Sequence, residues 1–437
     1  KRPKPLKKQE RIPLTPFDQR GKLIIYIRLL TMSATKASLR FILVTVFLDV
    51  IGIGLMIPVL PSLIGDMTTS PDLQAYWYGA LATTYGIMQF FCTPLLGALS
   101  DRYGRRPVLL LSIFGLGVSY IVTAFAQSLI LLLMARIVSG ATGATFSVAN
   151  AYVADITSHK ERGKAFGAVG AAFGVGFIFG PMIGGTLGAA DLRLPFLVAA
   201  GLSFCNFCYG YFVLPESLSP EKRAPLIWQR ANPFGALAHI GQLKGVGSLV
   251  FVFACSALAQ FILQNTWVLY TEFRFAWTPQ QNGIALFVVG MTSAITQGVL
   301  MSRLLAQFGE MRLAIIGMAS SAIINIAYGL TTQSSILYML ILANFLSFAA
   351  NPALQTLISK AASEKEQGLT QGALNAINSI MIIIAPLIGT TLLAAISHLP
   401  KDDWRMGITF FCSAFLQVLA VVFAIWHFRK QNRQTAV

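Results

Sequence analysis

Apolar residues in this chain come in blocks of about twenty, each parted from the next by a short polar loop. Twelve such blocks can be read, at about 40–62, 77–99, 107–127, 129–153, 164–188, 194–214, 246–270, 281–305, 311–331, 334–358, 367–395 and 405–427. A membrane-crossing helix needs about 20 mostly apolar residues, so the pattern predicts an all-α membrane protein with twelve spans. Gly and Pro inside the blocks fit this reading, because packed membrane helices tolerate both. The longest hydrophilic stretch between blocks, 215–245, parts them six and six.

The halves also resemble each other at an offset of 205 positions. Gly180-Pro181-Met182-Ile183-Gly184 is answered by Ala385-Pro386-Leu387-Ile388-Gly389, Glu161-Arg162-Gly163 by Glu366-Gln367-Gly368, and Gly104 by Gly309. Two six-helix halves around a site at mid-membrane are an arrangement of secondary transporters. The expected organisation is a basic cytoplasmic extension (1–38), an N-terminal half (39–214), a cytoplasmic central loop (215–245), a C-terminal half (246–428) and a cytoplasmic tail (429–437). Residues 1–31 carry nine Lys and Arg against two acids. Their apolar stretch is too short for a signal peptide. Met32 is a plausible natural start, and the residues before it are either an added extension or a basic arm lying on anionic lipid.

Composition sharpens the picture. The chain is 55% apolar and only 11% charged, where a soluble chain carries roughly 25% charge. A net charge of +16 suggests nucleic acid at first sight, but the cations are not arranged as a basic face interleaved with aromatic residues. Of 33 Lys and Arg, 28 fall on the side of the termini and four (Arg193, Arg274, Lys401 and Arg405) in the opposite loops. That asymmetry predicts both termini in the cytoplasm. The five cysteines lie in apolar blocks and give no disulfide framework, and the lone Cys205-x-x-Cys208 reads as packing. There is no nucleotide-binding glycine loop, metal-ligand cluster or nucleophile–base constellation. The chain therefore reads as no enzyme and as needing no cofactor, with a gradient as its energy source. The expected partners are the lipid bilayer, a small-molecule cargo and protons, with no nucleic acid, and a monomer is expected.

Four groups of residues carry candidate chemistry. The loop after block 2 packs Asp101, Arg102, Arg105, Arg106 and Pro107 around Gly104, with Gly97 just before; simple anchoring by cations would explain the arginines but not the acid or the glycines. Arg136 in block 4 is a charge inside the membrane, which is costly and usually functional, and a polar cavity near the inner mouth is its expected environment. Block 5 carries Gly176, Gly180, Pro181, Gly184 and Gly185, small residues that let helices approach closely. Asp49 in block 1 is the one acid placed well inside the membrane, where a carboxyl can load and release a proton. Its plain alternative is a structural hydrogen-bond partner.

The string from Gly97 to Pro107 resembles the signature loop of the major facilitator superfamily, and the block 5 string resembles that superfamily's antiporter motif. The resemblance narrows further, to the tetracycline efflux proteins. It is carried by Asp49-x-x-Gly-Ile-Gly-Leu-Met-x-Pro-Val-Leu-Pro61, Met88-Gln89-Phe90, Arg136-Ile137-Val138, Ala151-Tyr152-Val153-Ala154-Asp155, Trp267-Val268, Glu272-x-Arg274-Phe275-x-Trp277, Pro352-Ala353-Leu354-Gln355 and Gln371-Gly372. It runs from about Phe41 to Trp404. It implies the major facilitator fold and a proton-coupled antiporter of the bacterial inner membrane, exporting a small amphiphilic compound such as tetracycline; another drug, metabolite or siderophore is the alternative cargo, and a membrane sensor or scaffold that moves nothing is the alternative class. It further implies that Asp101, Arg105 and Asp155 latch the inner gate, that Asp101 faces the start of span 11, and that Gln89 and Arg136 lie near the central cavity. Other polar residues expected to line that cavity are Gln260, Gln264, Asn265, Gln355 and Asn375. Three titratable groups of that family are absent: Ser119 stands where an acid is usual in span 3, Ser293 aligns with a frequent His in span 8, and Ser321 with an acid in span 9.

Overall fold

The computed structural model describes residues 38–225, 247–361 and 367–435. Most of the expected N-terminal extension and of the central loop lies outside the described residues. Among the described residues, ten helical stretches are long and apolar enough to cross a membrane. One of them, the 52-residue stretch Pro279–Leu330, turns back at Gly309 and makes two spans. Pro71–Tyr103 is more polar but equally long, and completes twelve.

Span 1 is Ser38–Met56 continued by a short helix, Leu60–Gly65; the break falls at Pro58, which with Pro61 cannot donate to a helical ladder. Span 2 is Pro71–Tyr103, span 3 Arg105–Ala124, span 5 Arg162–Ala190 and span 6 Leu194–Val213. Span 4 is two helices, Leu129–Thr142 and Thr145–Ile156, broken at Gly143. Span 7 is Gly247–Phe275. Span 8 begins at Pro279–Ile295, where Thr278 and Gln281 form a capping box, and passes through a π turn at Thr296–Leu300. Its last turns and all of span 9 lie in Met301–Leu330. Span 10 is Ser334–Ala343 and Ser347–Ala361 joined by a 3₁₀ turn, span 11 is Gln367–Ile396 and span 12 is Ile408–Thr435. The internal repeat is legible in the backbone. Gly104 and Gly309, 205 positions apart, are the two glycines with positive φ among the described residues, at 107° and 69°.

Within the first half, span 3 packs on spans 4 and 6 and span 2 on span 4; within the second, span 7 packs on spans 11 and 12 and span 9 on spans 10 and 12. The halves meet along two seams, span 2 against span 11 and span 5 against span 8. The second seam needs glycine. A Cβ on Gly185 would lie 2.3 Å from the carbonyl oxygen of Pro279, and one on Gly283 2.5 Å from that of Pro181. Backbone here lies against backbone, the close approach that small residues permit in a membrane.

The seams are tight at the end of the molecule away from the Asp101–Pro107 loop. There an apolar cluster joins Ala75 of span 2 to Leu269, Leu393 and Ala394. Beside it the Glu272 carboxylate reaches across from span 7. One oxygen accepts from Ser62 Oγ at 3.2 Å and the other from Gln74 Nε2 at 3.0 Å. Gln74 is buried and also donates to the Pro61 carbonyl at 2.9 Å. Toward the loop end the halves part: Gly170 and Gly174 on span 5 line a cavity and have no atom of another element within 4 Å of a Cβ position. The protein is thus caught open at the loop end and sealed at the other.

Two sequence expectations are corrected here. Span 7 continues five residues past the expected 270, so Glu272 and Arg274 belong to a span. Glu272 is a further acid on a span, though three residues from its end, and Arg274, expected in an outer loop, is 4% exposed and donates to the Gly329 carbonyl at 2.7 Å.

If the Glu272 bridge holds the seal, Glu272→Ala removes two hydrogen bonds to a charged acceptor, about 1.5–3 kcal/mol each. With the native cysteines replaced, a cysteine in place of Leu60, behind the seal, is then expected to react several-fold faster with a membrane-impermeant thiol reagent added from the sealed side. An unchanged rate contradicts this role.

Candidate functional site

At the loop end, Gly104 takes φ 107°, and any Cβ there would lie 2.3 Å from a Glu216 oxygen. The bare backbone lets the Glu216 carboxylate accept from the backbone N–H of Arg105 at 2.8 Å and of Arg106 at 3.1 Å. It thereby satisfies the first free donors of span 3, where the helix dipole favours an anion. The Arg105 side chain is buried. Its Nε donates to Asp155 Oδ2 at 3.0 Å and its Nη1 to Ser100 Oγ at 2.7 Å, and it pairs with Asp101. Ser217 adds a hydrogen bond to Asp155 at 3.2 Å.

Of the five residues expected in this cluster, Asp101, Arg105 and Asp155 meet. Arg102 does not join them; its guanidinium lies 5.2 Å from the Tyr103 ring. Arg106 turns away to the Tyr211 ring and carbonyl. Among the described residues no hydrogen bond or ion pair joins Asp101 to the start of span 11; its carboxylate is 52% exposed. Glu216 is not among the expected residues. Its partners are some 110 positions away in the sequence, and no local pattern announces it.

Deeper in the first half, Asp49 is 9% exposed on span 1. The break in span 4 brings Thr145 beside it, and Tyr85 and Tyr120 are close enough to feel its charge. Arg136, at 4% exposed, precedes the break. Its Nη2 donates to Thr123 Oγ1 at 3.3 Å and its Nη1 points at the Met56 sulfur. Tyr78, Tyr85 and Tyr120 surround it, and it has no ion-pair partner among the described residues. Arg136 is buried and lies in the part of span 4 away from the Asp101–Pro107 loop. It sits seven residues from the sealed end of span 4, about 10 Å along the helix. Ser119, where the resemblance expects an acid, donates to the Ala135 carbonyl at 2.9 Å and offers no charge.

Among the described residues, a smaller and a larger chamber lie between the halves. The smaller one, of about 230 Å³, is walled by Ile53, Met56, Tyr78, Tyr85, Tyr120 and Arg136 from the first half and by Gln264 and Asn265 from the second. The larger one, of about 630 Å³, is walled by span 5 and by spans 7, 8 and 10. Ile57 and Gln264 touch both. Asp49 lines neither chamber; it lies one helical turn before Ile53, which lines the smaller one.

The expected cavity residues divide. Gln260, Gln264 and Gln355 line the larger chamber, and Gln264, Asn265 and Arg136 the smaller. Gln89 lines neither; it donates to Tyr85 Oη at 3.2 Å and to the Gly143 carbonyl at 3.3 Å, tying span 2 to the break in span 4. Asn375 is exposed and lines neither. The glycine motif faces two ways. Gly176, Gly180 and Gly184 pack on Val50, Gly54 and Leu55 of span 1, while Gly185 and the Pro181 carbonyl meet span 8. One string thus couples the helix that carries Asp49 to the seam between halves.

A profile of the Major Facilitator Superfamily matches residues 42–386 and 249–436. The chain is similar to the class C tetracycline resistance protein of Escherichia coli, 39% identical over 354 residues, covering 81% of this chain and 89% of that one. It is also similar to the class B tetracycline resistance protein of Escherichia coli, 33% identical over 390 residues, covering 87% and 95%. Among solved structures, a bacterial homolog of the human lysosomal transporter Spinster in an inward-facing, unoccupied conformation shares the fold, with a TM-score of 0.71 at 15% identity over 91% of this chain and 97% of that one. Twelve helices in two repeated halves, the loop cluster around Arg105 and this degree of likeness lead to one conclusion: the chain belongs to the Major Facilitator Superfamily, as a membrane-spanning drug-efflux transporter in the group of the tetracycline resistance proteins.

Proposed function

We propose that this protein exports a small amphiphilic antibiotic, tetracycline or a compound of similar size, across the bacterial inner membrane in exchange for entering protons. In this reading both termini and the Asp101–Pro107 loop face the cytoplasm, so the chamber is open to the compartment from which cargo is loaded. The protein acts as a monomer and draws its energy from the proton gradient.

The observation that carries the reading is the place of Asp49. It is a buried acid on span 1, one turn before Ile53, which lines the smaller chamber together with Tyr85 and Tyr120. A carboxyl kept in a membrane interior is costly unless it has a use. Exchange requires that cargo and proton favour different states of the carrier, since a ligand shifts a conformational equilibrium only by its difference in affinity for the two states. Two devices can convert occupancy of the chamber into movement. The glycine motif ties span 1 to the seam with span 8. The Arg105 cluster holds the loop end of spans 2, 3 and 4 as one piece, so that the first half moves as a body.

The test is collapse of a pH gradient in everted membrane vesicles, followed with a pH-sensitive dye as tetracycline and a panel of other antibiotics are added. At least one compound is expected to collapse the gradient, and Asp49→Asn is expected to cut that response to less than about a tenth while leaving the protein inserted. Full activity in Asp49→Asn removes the residue from the mechanism; an untouched gradient across the panel, with the protein correctly inserted, counts against exchange. Arg105→Ala breaks the contacts to Asp101, Asp155 and Ser100 together and is expected to slow export several-fold with cargo affinity little changed. A variant that exports at the wild-type rate shows the cluster to be anchoring alone.

A further inference from the structure

The walls of the chambers say something about the charge of the cargo. Among the described residues no Asp or Glu lines either chamber, and the larger has no charged wall residue of either sign. Its polar lining consists of amides and hydroxyls, among them Gln260, Gln264, Gln297, Asn351 and Ser293. Its apolar lining mixes five rings, Phe173, Phe177, Trp267, Tyr328 and Phe348, with aliphatic side chains. Several of the amides can turn toward a ligand. Gln297 is committed to nothing firmer than Ser293 Oγ, at 2.8 Å on the same helix, and Gln260, Gln264 and Gln355 make no side-chain hydrogen bond among the described residues. The one charge found on these walls is the Arg136 guanidinium in the smaller chamber.

A charged group brought into the larger chamber gives up its hydration and finds no counter-ion on its walls. A cation fares worst, because Arg136 stands on the wall of the adjoining chamber, whereas Asp49, the buried acid of the same half, lines neither chamber. An uncharged polar cargo loses little. Amides offer it both donors and acceptors, and the rings cover its apolar faces without asking for charge. The aromatic walls are the rival consideration, since rings attract cations. In this chamber, however, no carboxylate stands behind the rings to complete a cationic site.

We propose that the larger chamber selects an electrically neutral amphiphile, and that Ser293, an uncharged hydroxyl on its wall, is one determinant of that preference. The proposal rests on the export reading for its setting, but its test needs no gradient. The probes are three dyes of matched size: dansylglycinamide, which is neutral, dansylglycine, an anion, and dansylethylenediamine, a cation. Their binding to purified, detergent-solubilised protein is followed by the rise of dansyl emission above that of micelles alone. The neutral dye is expected to bind about tenfold or more tighter than the cation, the cost of leaving a buried charge unpaired, and tighter than the anion. Ser293→Asp is expected to tighten the cation about tenfold and to weaken the neutral dye little. A wild-type protein that prefers either ion, or that binds none of the three, overturns the proposal. So does a Ser293→Asp protein, folded by its circular dichroism, that gains nothing for the cation. A protein that prefers the neutral dye yet exchanges no protons in vesicles would refute the export reading and leave this one standing.

Discussion

Backbone contact between helices at one end of the molecule is the constraint on which everything else depends. Gly185 and Gly283 let spans 5 and 8 touch without side chains, and the Ala75 cluster closes the other seam beside them. Membrane helices gain little from excluding lipid, which is as apolar as they are, so association rests on close packing and on hydrogen bonds between helices. A seam of this kind can be remade at the opposite end by tilting the halves, because it requires only that small residues meet. The Glu272 bridge to Ser62 and Gln74 adds a polar element to the seal.

Away from the sealed end, charge near the chambers is segregated by half. The first half holds Asp49 and Arg136, which share Tyr85 and Tyr120 as neighbours and do not pair with each other. The second half supplies the uncharged amide and aromatic wall. Under the proposed exchange, protons are handled by the first half and most of the cargo by the second, with Ile57 and Gln264 at the junction. A neutral cargo exchanged one for one with a proton moves one charge. A gradient of one pH unit with 100 mV across the membrane then provides about 3.7 kcal/mol, enough to sustain a cargo gradient of about 500-fold.

Much of this architecture is legible in the sequence, and the rest is hidden for identifiable reasons. Blocks of apolar residues reveal the spans because each must cross the same thickness of hydrocarbon. The 205-residue offset anticipates the matching backbone turns at Gly104 and Gly309. Arg105 and Asp155 are readable as partners only through resemblance, since they lie 50 positions apart. Glu216 escapes because capping a helix from a distant loop leaves no local pattern. Glu272 and Arg274 escape because two charges near the end of an apolar block look like the start of a loop. Gln89 is expected near the cavity through the resemblance and Asn375 on polarity, and neither tells a residue that bonds a neighbouring helix from one that faces a ligand. The direction in which span 4 runs places Arg136 near the sealed end.

Coupling through Asp49 is tested most directly by a proton count. Cargo that collapses the gradient in vesicles should be added to the purified protein in weakly buffered detergent near neutral pH, with proton release followed by an indicator dye. If cargo and proton exclude each other through Asp49, saturating cargo releases up to about one proton per protein, and by reciprocity cargo binds more tightly as pH rises. Asp49→Asn should bind cargo and release none. Cargo binding that releases no proton from the wild-type protein, or an equal release from Asp49→Asn, would contradict the claim that this carboxyl couples the two.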